Sequence, residues 1–260
     1  MNTDKNEGRK MRKILGLVMG VILVIGYGMQ DAGYQIPDEI VIVRAPSKEP
    51  RNPYQDEYER MLYPTVRITA GFSTGSGVIF HRKDAKEEVY ILTACHVVEN
   101  ETTVSVELYD STVITASVVI TDTAKDLALL CASAVKPYYA RLAPKNYTPY
   151  IFTPVYTVGC SLGLTPRPSQ GIISVIGKYN WEVTSPVLPG NSGGPVYDAR
   201  TYEVIGIAVW VKVCQGQLVT TMAGIVPINQ IYEFLDSHED TKALRNSSCL
   251  GALVAKICAH

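Results

Sequence analysis

Short runs of apolar and β-branched residues recur along most of this chain, and turn formers separate them. Residues 65–69, 76–80, 89–94, 103–108, 113–120 and 127–131 form a first set. A second set follows at 155–159, 171–176, 183–187, 195–197, 203–211 and 220–225. Runs of this length, bounded by Gly, Pro, Asn and Asp, predict strands, and their regular spacing predicts an all-β barrel architecture. Residues 229–235, with Ile231, Tyr232, Phe234 and Leu235, read as a short closing helix.

The N-terminus breaks the pattern. Lys5, Arg9, Lys10, Arg12 and Lys13 precede residues 14–29, which carry no charge. A basic flank before an apolar stretch is what translocation machinery reads, and the basic end stays cytoplasmic. As a helix the sixteen apolar residues span roughly 24 Å, short of a hydrocarbon core of about 30 Å. The segment is read as a hydrophobic helix that anchors the chain in the membrane, with the remainder outside the cytoplasm. The alternative is a signal peptide cleaved near Gly26 or Gly28, giving a secreted chain. Residues 30–61 carry Pro37, Pro46, Pro50 and Pro53 among many charges and read as a tether. The apolar patch at 40–43 could add an edge strand. Residues 236–260 form a polar tail.

Composition narrows the function classes. With 260 residues and 47% hydrophobic content the chain can bury a sizeable core, as one large β domain or two lobes. A net charge of −1 gives no basic footprint for nucleic acid. There is no phosphate-cradling glycine loop, zinc-spaced cysteine pair or internal repeat, so the chemistry is expected to need no cofactor and no metal. Six cysteines (Cys95, Cys131, Cys160, Cys214, Cys249 and Cys258) allow fifteen pairings. Cys131 and Cys160 suit buried thiols as well as bridges, and Cys249 with Cys258 is the simplest local pair. Asn100, Asn146 and Asn246 begin glycosylation acceptor patterns that matter only in a eukaryotic secretory route.

Gly190-Asn191-Ser192-Gly193-Gly194-Pro195 is the most informative stretch. A serine held between glycines can present its hydroxyl beside converging backbone N–H groups, the arrangement that stabilises an oxyanion in acyl transfer. The same residue types also make ordinary turns, so the remaining machinery decides. A serine needs a base, and histidine titrates in the useful range. His96 ends a run of β-formers and can point into a cleft. His81 precedes the charged run 82–88, which reads as a solvated turn, while His238 and His260 lie in the polar tail. A carboxylate must orient the imidazole. Asp126 heads the apolar run Leu127-Ala128-Leu129-Leu130; Asp122, in a loop-like setting, ranks below it.

Leu92-Thr93-Ala94-Cys95-His96-Val97-Val98, Lys125-Asp126-Leu127-Ala128-Leu129-Leu130 and the glycine-flanked serine resemble the three catalytic blocks of trypsin-like serine proteases, nearest the HtrA/Deg branch. The order His, Asp, Ser is of the chymotrypsin type. Gly75-Ser76-Gly77-Val78-Ile79, Val158-Gly159-Cys160-Ser161-Leu162-Gly163, Val204-Ile205-Gly206-Ile207-Ala208 and Ala223-Gly224-Ile225-Val226-Pro227-Ile228 resemble further blocks of that family, so the likeness covers about residues 62–235.

The resemblance implies two six-stranded antiparallel Greek-key β-barrels, at about 62–135 and 150–228, with the active site between them. It implies a serine endopeptidase in which Ser192 attacks, His96 moves the proton, Asp126 orients His96, and the N–H groups of Gly190 and Ser192 bind the oxyanion. Thr184, Val187, Ala208, Val209, Trp210 and Ala223 become the walls of a specificity pocket. None is acidic, so small or medium apolar side chains are expected at the cleaved residue of a protein or peptide substrate.

Three departures qualify the likeness. About 25 residues follow Leu235, too few for the PDZ domain that HtrA/Deg enzymes usually carry. Asn191 stands where digestive trypsins place the aspartate that pairs with a new N-terminus. Cys95 precedes the histidine, whereas trypsins place a disulfide cysteine after it. Family members often form trimers through N-terminal elements, yet 30–61 shows no assembly motif, leaving homo-oligomerisation open. Two rival readings stand beside a quality-control protease: a membrane-tethered peptide binder with an inactive protease fold, and a maturation protease with one dedicated target.

Overall fold

A computed structural model of the protein describes residues 52–83, 88–134, 138–214 and 216–237. The first barrel contains β1 (Thr65–Ala70), β2 (Ser73–Lys83), β3 (Glu88–Thr93), β4 (Thr103–Glu107), β5 (Val113–Asp122) and β6 (Leu127–Ser133). The second contains β7 (Pro154–Gly159), β8 (Arg167–Ile176), β9 (Trp181–Val183), β10 (Pro195–Asp198), β11 (Val204–Cys214) and β12 (Gln217–Pro227). Both are closed and antiparallel, ordered β1-β2-β3-β6-β5-β4 and β10-β11-β12-β9-β8-β7, so they share one Greek-key topology. The expected double barrel is therefore present. Closure removes the exposed strand edges that an open sheet would leave.

Side-chain alternation explains β1, where Val66, Ile68 and Ala70 turn inward and Arg67 and Thr69 turn outward. β3 and β6 differ, because Val89 to Leu92 and Leu127 to Leu130 are all fully buried. These two strands pair, with Leu92 opposite Leu129 and Thr93 opposite Ala128. That register brings the C-terminal end of β3 to the N-terminal end of β6. His96 and Asp126, which flank those ends, consequently meet at one rim of the barrel.

The closing helix, Ile228–Ser237, buries Ile228, Ile231, Tyr232, Phe234 and Leu235. The hydroxyl of Tyr232 donates to the carbonyl of Ala143, at 3.2 Å, and so ties the helix to the segment between the barrels.

Several local expectations are corrected. β2 continues through His81, which pairs with Tyr90, so His81 belongs to a strand and not to a solvated turn. β8 starts at Arg167, and the strand expected over 183–187 is β9 at Trp181–Val183. Its apolar residues after Val183 line a loop instead. The end of the tether is helical, as Gln55–Glu57 and Tyr58–Leu62. It packs because Met61 is buried and its carbonyl accepts from the Thr65 and Tyr197 hydroxyls at 2.7 and 3.1 Å. Cys95 and Cys160 are free thiols. The N-terminal hydrophobic segment, the patch at 40–43, Cys249, Cys258, His238 and His260 lie outside the described residues. Among the described residues no helix is long and apolar enough to cross a membrane.

Candidate active site

His96 sits in a single 3-10 turn, Cys95–Val97, that follows β3. Cys95 and Val97 are buried on either side of it while His96 is exposed. The apolar neighbours anchor the turn and leave the imidazole facing out. Asp126 grips His96 twice: one carboxylate oxygen accepts the His96 backbone N–H at 3.0 Å, and the other lies 2.7 Å from Nδ1. With Nδ1 so engaged, Nε2 faces away from the carboxylate. The Asp126 hydrogen bond raises the His96 pKa above its ordinary value and outweighs the opposing effect of partial burial.

Asp126 adopts a left-handed φ of 54°, unusual for a residue with a side chain. The turn leading to it is shaped by Asp122, the lower-ranked carboxylate, which accepts the Lys125 backbone N–H at 2.9 Å and the Lys125 ammonium at 3.3 Å. Burial pushes the Asp122 carboxyl up, and the bonds from Lys125 outweigh it, leaving the group below its ordinary pKa. Asp122 therefore braces the turn, and Asp126 holds the histidine.

Ser192 lies in the loop that enters β10, and the hydrogen bonding of that loop alternates. The carbonyls of Pro189, Gly190, Asn191 and Ser192 accept in turn from Leu162 N–H at 2.7 Å, the Ser76 hydroxyl at 2.6 Å, Gly194 N–H at 2.9 Å and Ser76 N–H at 2.8 Å. The N–H groups of Asn191 and Gly193 donate to the Leu188 and Ala208 carbonyls at 3.0 and 2.7 Å. Among the described residues, the N–H groups of Gly190 and Ser192 have no protein acceptor. The carbonyls of Pro189 to Ser192 are thus each held by a partner, and two donors with one residue between them are left without an acceptor among the described residues. Gly190 makes this possible with a φ of 96°, and a Cβ there would overlap the Cys160 carbonyl.

The loop is also bound to the histidine strand. Gly193, at φ 82°, lies so close to β3 that a Cβ would overlap Thr93 Oγ1 and the Ser76 carbonyl oxygen. Thr93 precedes His96 by three residues, so the serine loop of one barrel rests on the strand that delivers the histidine of the other.

Ser192 lines a cavity of about 230 Å³ together with Val187, Leu188, Pro189, Ala208, Val209, Trp210 and Val211. Four of the six expected pocket residues (Val187, Ala208, Val209 and Trp210) come together here. Thr184 is engaged with β8, its backbone N–H donating to the Ile172 carbonyl and its Oγ1 accepting from Ile172 N–H, each at 3.0 Å. Ala223 is paired between Val211 and Val183. Neither is among the cavity-lining residues. No lining residue is charged, and the Trp210 indole occupies space that any side chain on Gly224 would need.

Asn191 is buried, and its Oδ1 accepts from the Ser161 hydroxyl at 2.6 Å. A neutral hydrogen bond holds this position, with no ion pair. Burial pushes the Cys160 thiol up to about 11. Sequence reasoning missed Ser76, Thr93 and Ser161 as individual contributors. Their motif neighbours were visible, but their partners lie far away in sequence. Among the described residues no group of His, Cys, Asp and Glu could hold a metal ion.

Residues 75–207 match the family described as Trypsin-like peptidase domain. The chain is 33% identical over 151 residues to "Serine protease Do-like HtrA" of Bacillus subtilis (strain 168), covering 52% of this chain and 32% of that protein. It is 28% identical over 193 residues to "Probable periplasmic serine endoprotease DegP-like" of Hahella chejuensis, covering 71% and 39% respectively. The crystal structure of the serine endoprotease from Yersinia pestis superposes with a TM-score of 0.61 at 24% identity, covering 72% of this chain and 66% of that one, and shows a shared fold. The chain spans about a third of the length of the curated relatives it matches. With its paired barrels and its match across residues 75–207, this chain belongs to the trypsin-like peptidase domain family, and its relatives are serine proteases of the HtrA/Deg type.

Proposed function

We propose that the chain is a serine endopeptidase in which Ser192, His96 and Asp126 act as nucleophile, general base and orienting carboxylate. The Ser192 oxygen bonds to the peptide carbonyl carbon while His96 Nε2 takes its proton. His96 then protonates the amine as the C–N bond breaks, and water hydrolyses the acyl-enzyme by the same route in reverse roles. Asp126 holds the ring through Nδ1 and stabilises the imidazolium that forms.

One observation carries this reading. The alternating bonds of the serine loop leave the N–H groups of Gly190 and Ser192 without acceptors among the described residues, while those of Asn191 and Gly193 are bonded. Donors prepared in this way suit a negative charge that appears only during reaction, and each contributes about 3 kcal/mol to lowering the barrier. The uncharged lining of the adjoining cavity supports cleavage after small or medium apolar side chains. Residues 62–235 would form the protease domain, held by residues 1–61 at a membrane with the barrels outside the cytoplasm. The basic and apolar N-terminal sequence supports that placement, as do relatives whose names describe them as periplasmic.

The test is covalent labelling. A fluorophosphonate should modify the wild-type chain at Ser192 and fail to modify Ser192→Ala, which should melt at an unchanged temperature. Labelling that persists in Ser192→Ala would overturn the assignment. Separation of the native chain with membranes after alkaline carbonate extraction tests the anchor; release into the supernatant would refute it.

A further inference from the structure

Ser76 is fully buried in β2 of the first barrel, yet it serves the serine loop of the second. Its backbone N–H donates to the Ser192 carbonyl at 2.8 Å. Its hydroxyl donates to the Gly190 carbonyl at 2.6 Å and accepts from Cys160 N–H at 2.7 Å. Its own carbonyl accepts from the Thr93 hydroxyl at 2.7 Å. A hydroxyl has one proton to give, and here the N–H on one side leaves the carbonyl on the other as its target.

The two carbonyls that Ser76 holds belong to Gly190 and Ser192, the residues whose N–H groups are without acceptors among the described residues. Gly190 has no side chain to steady it, so its orientation depends on the two peptide planes that flank it. Leu162 N–H holds the plane before Gly190, through the Pro189 carbonyl. The Ser76 hydroxyl holds the plane after it. If that hydroxyl is removed, the Gly190–Asn191 peptide keeps the Asn191 N–H bond to the Leu188 carbonyl but loses the Ser76 tie to the first barrel, so Gly190 can turn and carry its N–H with it.

We propose that Ser76 is a positioning residue for the oxyanion hole: its hydroxyl reaches across the barrel interface to the Gly190 carbonyl and, together with the Leu162 bond to the Pro189 carbonyl, fixes Gly190 and the direction of its N–H. The proposal rests on the reading of Ser192 as nucleophile. Because Thr93 bonds to the Ser76 carbonyl, the strand that leads to His96 and the loop that carries Ser192 share one hydrogen-bonded chain. The donor is thereby kept in register with both reacting groups.

The experiment uses the full-length chain with a fluorogenic peptide substrate, rates being expressed per folded molecule from near-UV circular dichroism. Ser76→Ala should lower kcat at least tenfold, in line with loss of one oxyanion donor, and leave KM within about twofold, the signature of an interaction made in the transition state. Affinity for a peptide boronate, whose tetrahedral adduct occupies the hole, should fall by the same factor as kcat/KM. The acid limb of the pH profile should not move, because the His96–Asp126 pair is untouched. Ser76→Cys, close in shape with a weaker donor, should lie between the two, and it carries the test if the alanine variant does not fold. Unchanged kcat per folded molecule would overturn the proposal, as would a loss of rate that merely tracks unfolding or appears equally in KM. Fluorophosphonate labelling of the wild-type chain separates the two readings: without it the nucleophile assignment fails, whereas with it and a fully active Ser76→Ala only the role of Ser76 fails.

Discussion

Gly193 rests on Thr93 so closely that no side chain fits between them: a Cβ would overlap Thr93 Oγ1. The contact joins the serine loop to the strand that ends at His96. Gly193→Ala adds that Cβ at a φ of 82°, combining backbone strain with overpacking. The variant should lose about 1–3 kcal/mol, read from the denaturant midpoint, and should label with a fluorophosphonate at least tenfold more slowly than the wild type. A variant as stable and as reactive as the wild type would contradict the contact.

The His96–Asp126 pair makes the pH dependence specific. Asp126 stabilises the imidazolium and raises the folded pKa of His96, whereas in the proposed mechanism His96 must be neutral to act as the base. Therefore kcat/KM should rise with pH through a midpoint above the ordinary histidine value of about 6.5. Asp126→Asn removes the largest cause, so the His96 midpoint followed by NMR should move down, and the rate should fall by about 10⁴. For stability the sign is opposite. The contribution of the pair is full below the unfolded pKa and is lost as pH rises through the raised folded value. An NMR midpoint that does not move in Asp126→Asn would refute the coupling.

Gly224 gives room to Trp210, since a Cβ there would overlap the indole at Cε2, Cζ2 and Nε1. Gly224→Ala must displace the ring from the cavity it shares with Ser192. We expect KM for apolar peptide substrates to rise several-fold, a changed library profile at the cleaved residue, and a stability loss of about 1–3 kcal/mol. Unaltered selectivity would mean that Trp210 does not shape the pocket.

Asp198 tests the architecture apart from the chemistry. It is fully buried and accepts from the Tyr147 hydroxyl at 2.6 Å and from Arg200 Nη2 and Nε at 2.7 and 3.1 Å. Burial pushes its carboxyl up, but the bonds from Arg200 and Tyr147 outweigh this and leave the pKa lowered. Its contribution is therefore present above the ordinary carboxylate pKa and lost as pH falls through the lowered one. Asp198→Ala should cost about 2 kcal/mol at neutral pH, chiefly by leaving the half-buried Tyr147 hydroxyl without its acceptor. Chemical denaturation at pH 7 and at pH 3 should show the gap between variant and wild type narrowing in acid.

Much of this architecture can be read from local pattern. Strands such as β1 alternate, and β3 and β6 are apolar enough to show that both faces are covered. His96 and Asp126 are legible because each borders one of those runs. The misreadings came where distant groups decide. Residues 54–61 look like a tether until Tyr197, 136 positions away from Met61, supplies a hydroxyl to its carbonyl. The run 183–187 has strand composition, but its latter part faces a cavity and not a neighbouring strand.

The amino-acid sequence by itself determined the all-β barrel class, the positions of His96, Asp126 and Ser192 in chain order, and the glycines that let one loop bend as it does. Those features depend on side-chain period, turn chemistry and torsional freedom, which act over a few residues. Only the tertiary structure decided which carboxylate meets the histidine, which walls share the cavity with Ser192, and which N–H groups remain open. A hydrogen bond such as that from Ser76 to Gly190 joins residues 114 positions apart. Its existence depends on how two closed barrels meet, and that geometry arises only once both have folded.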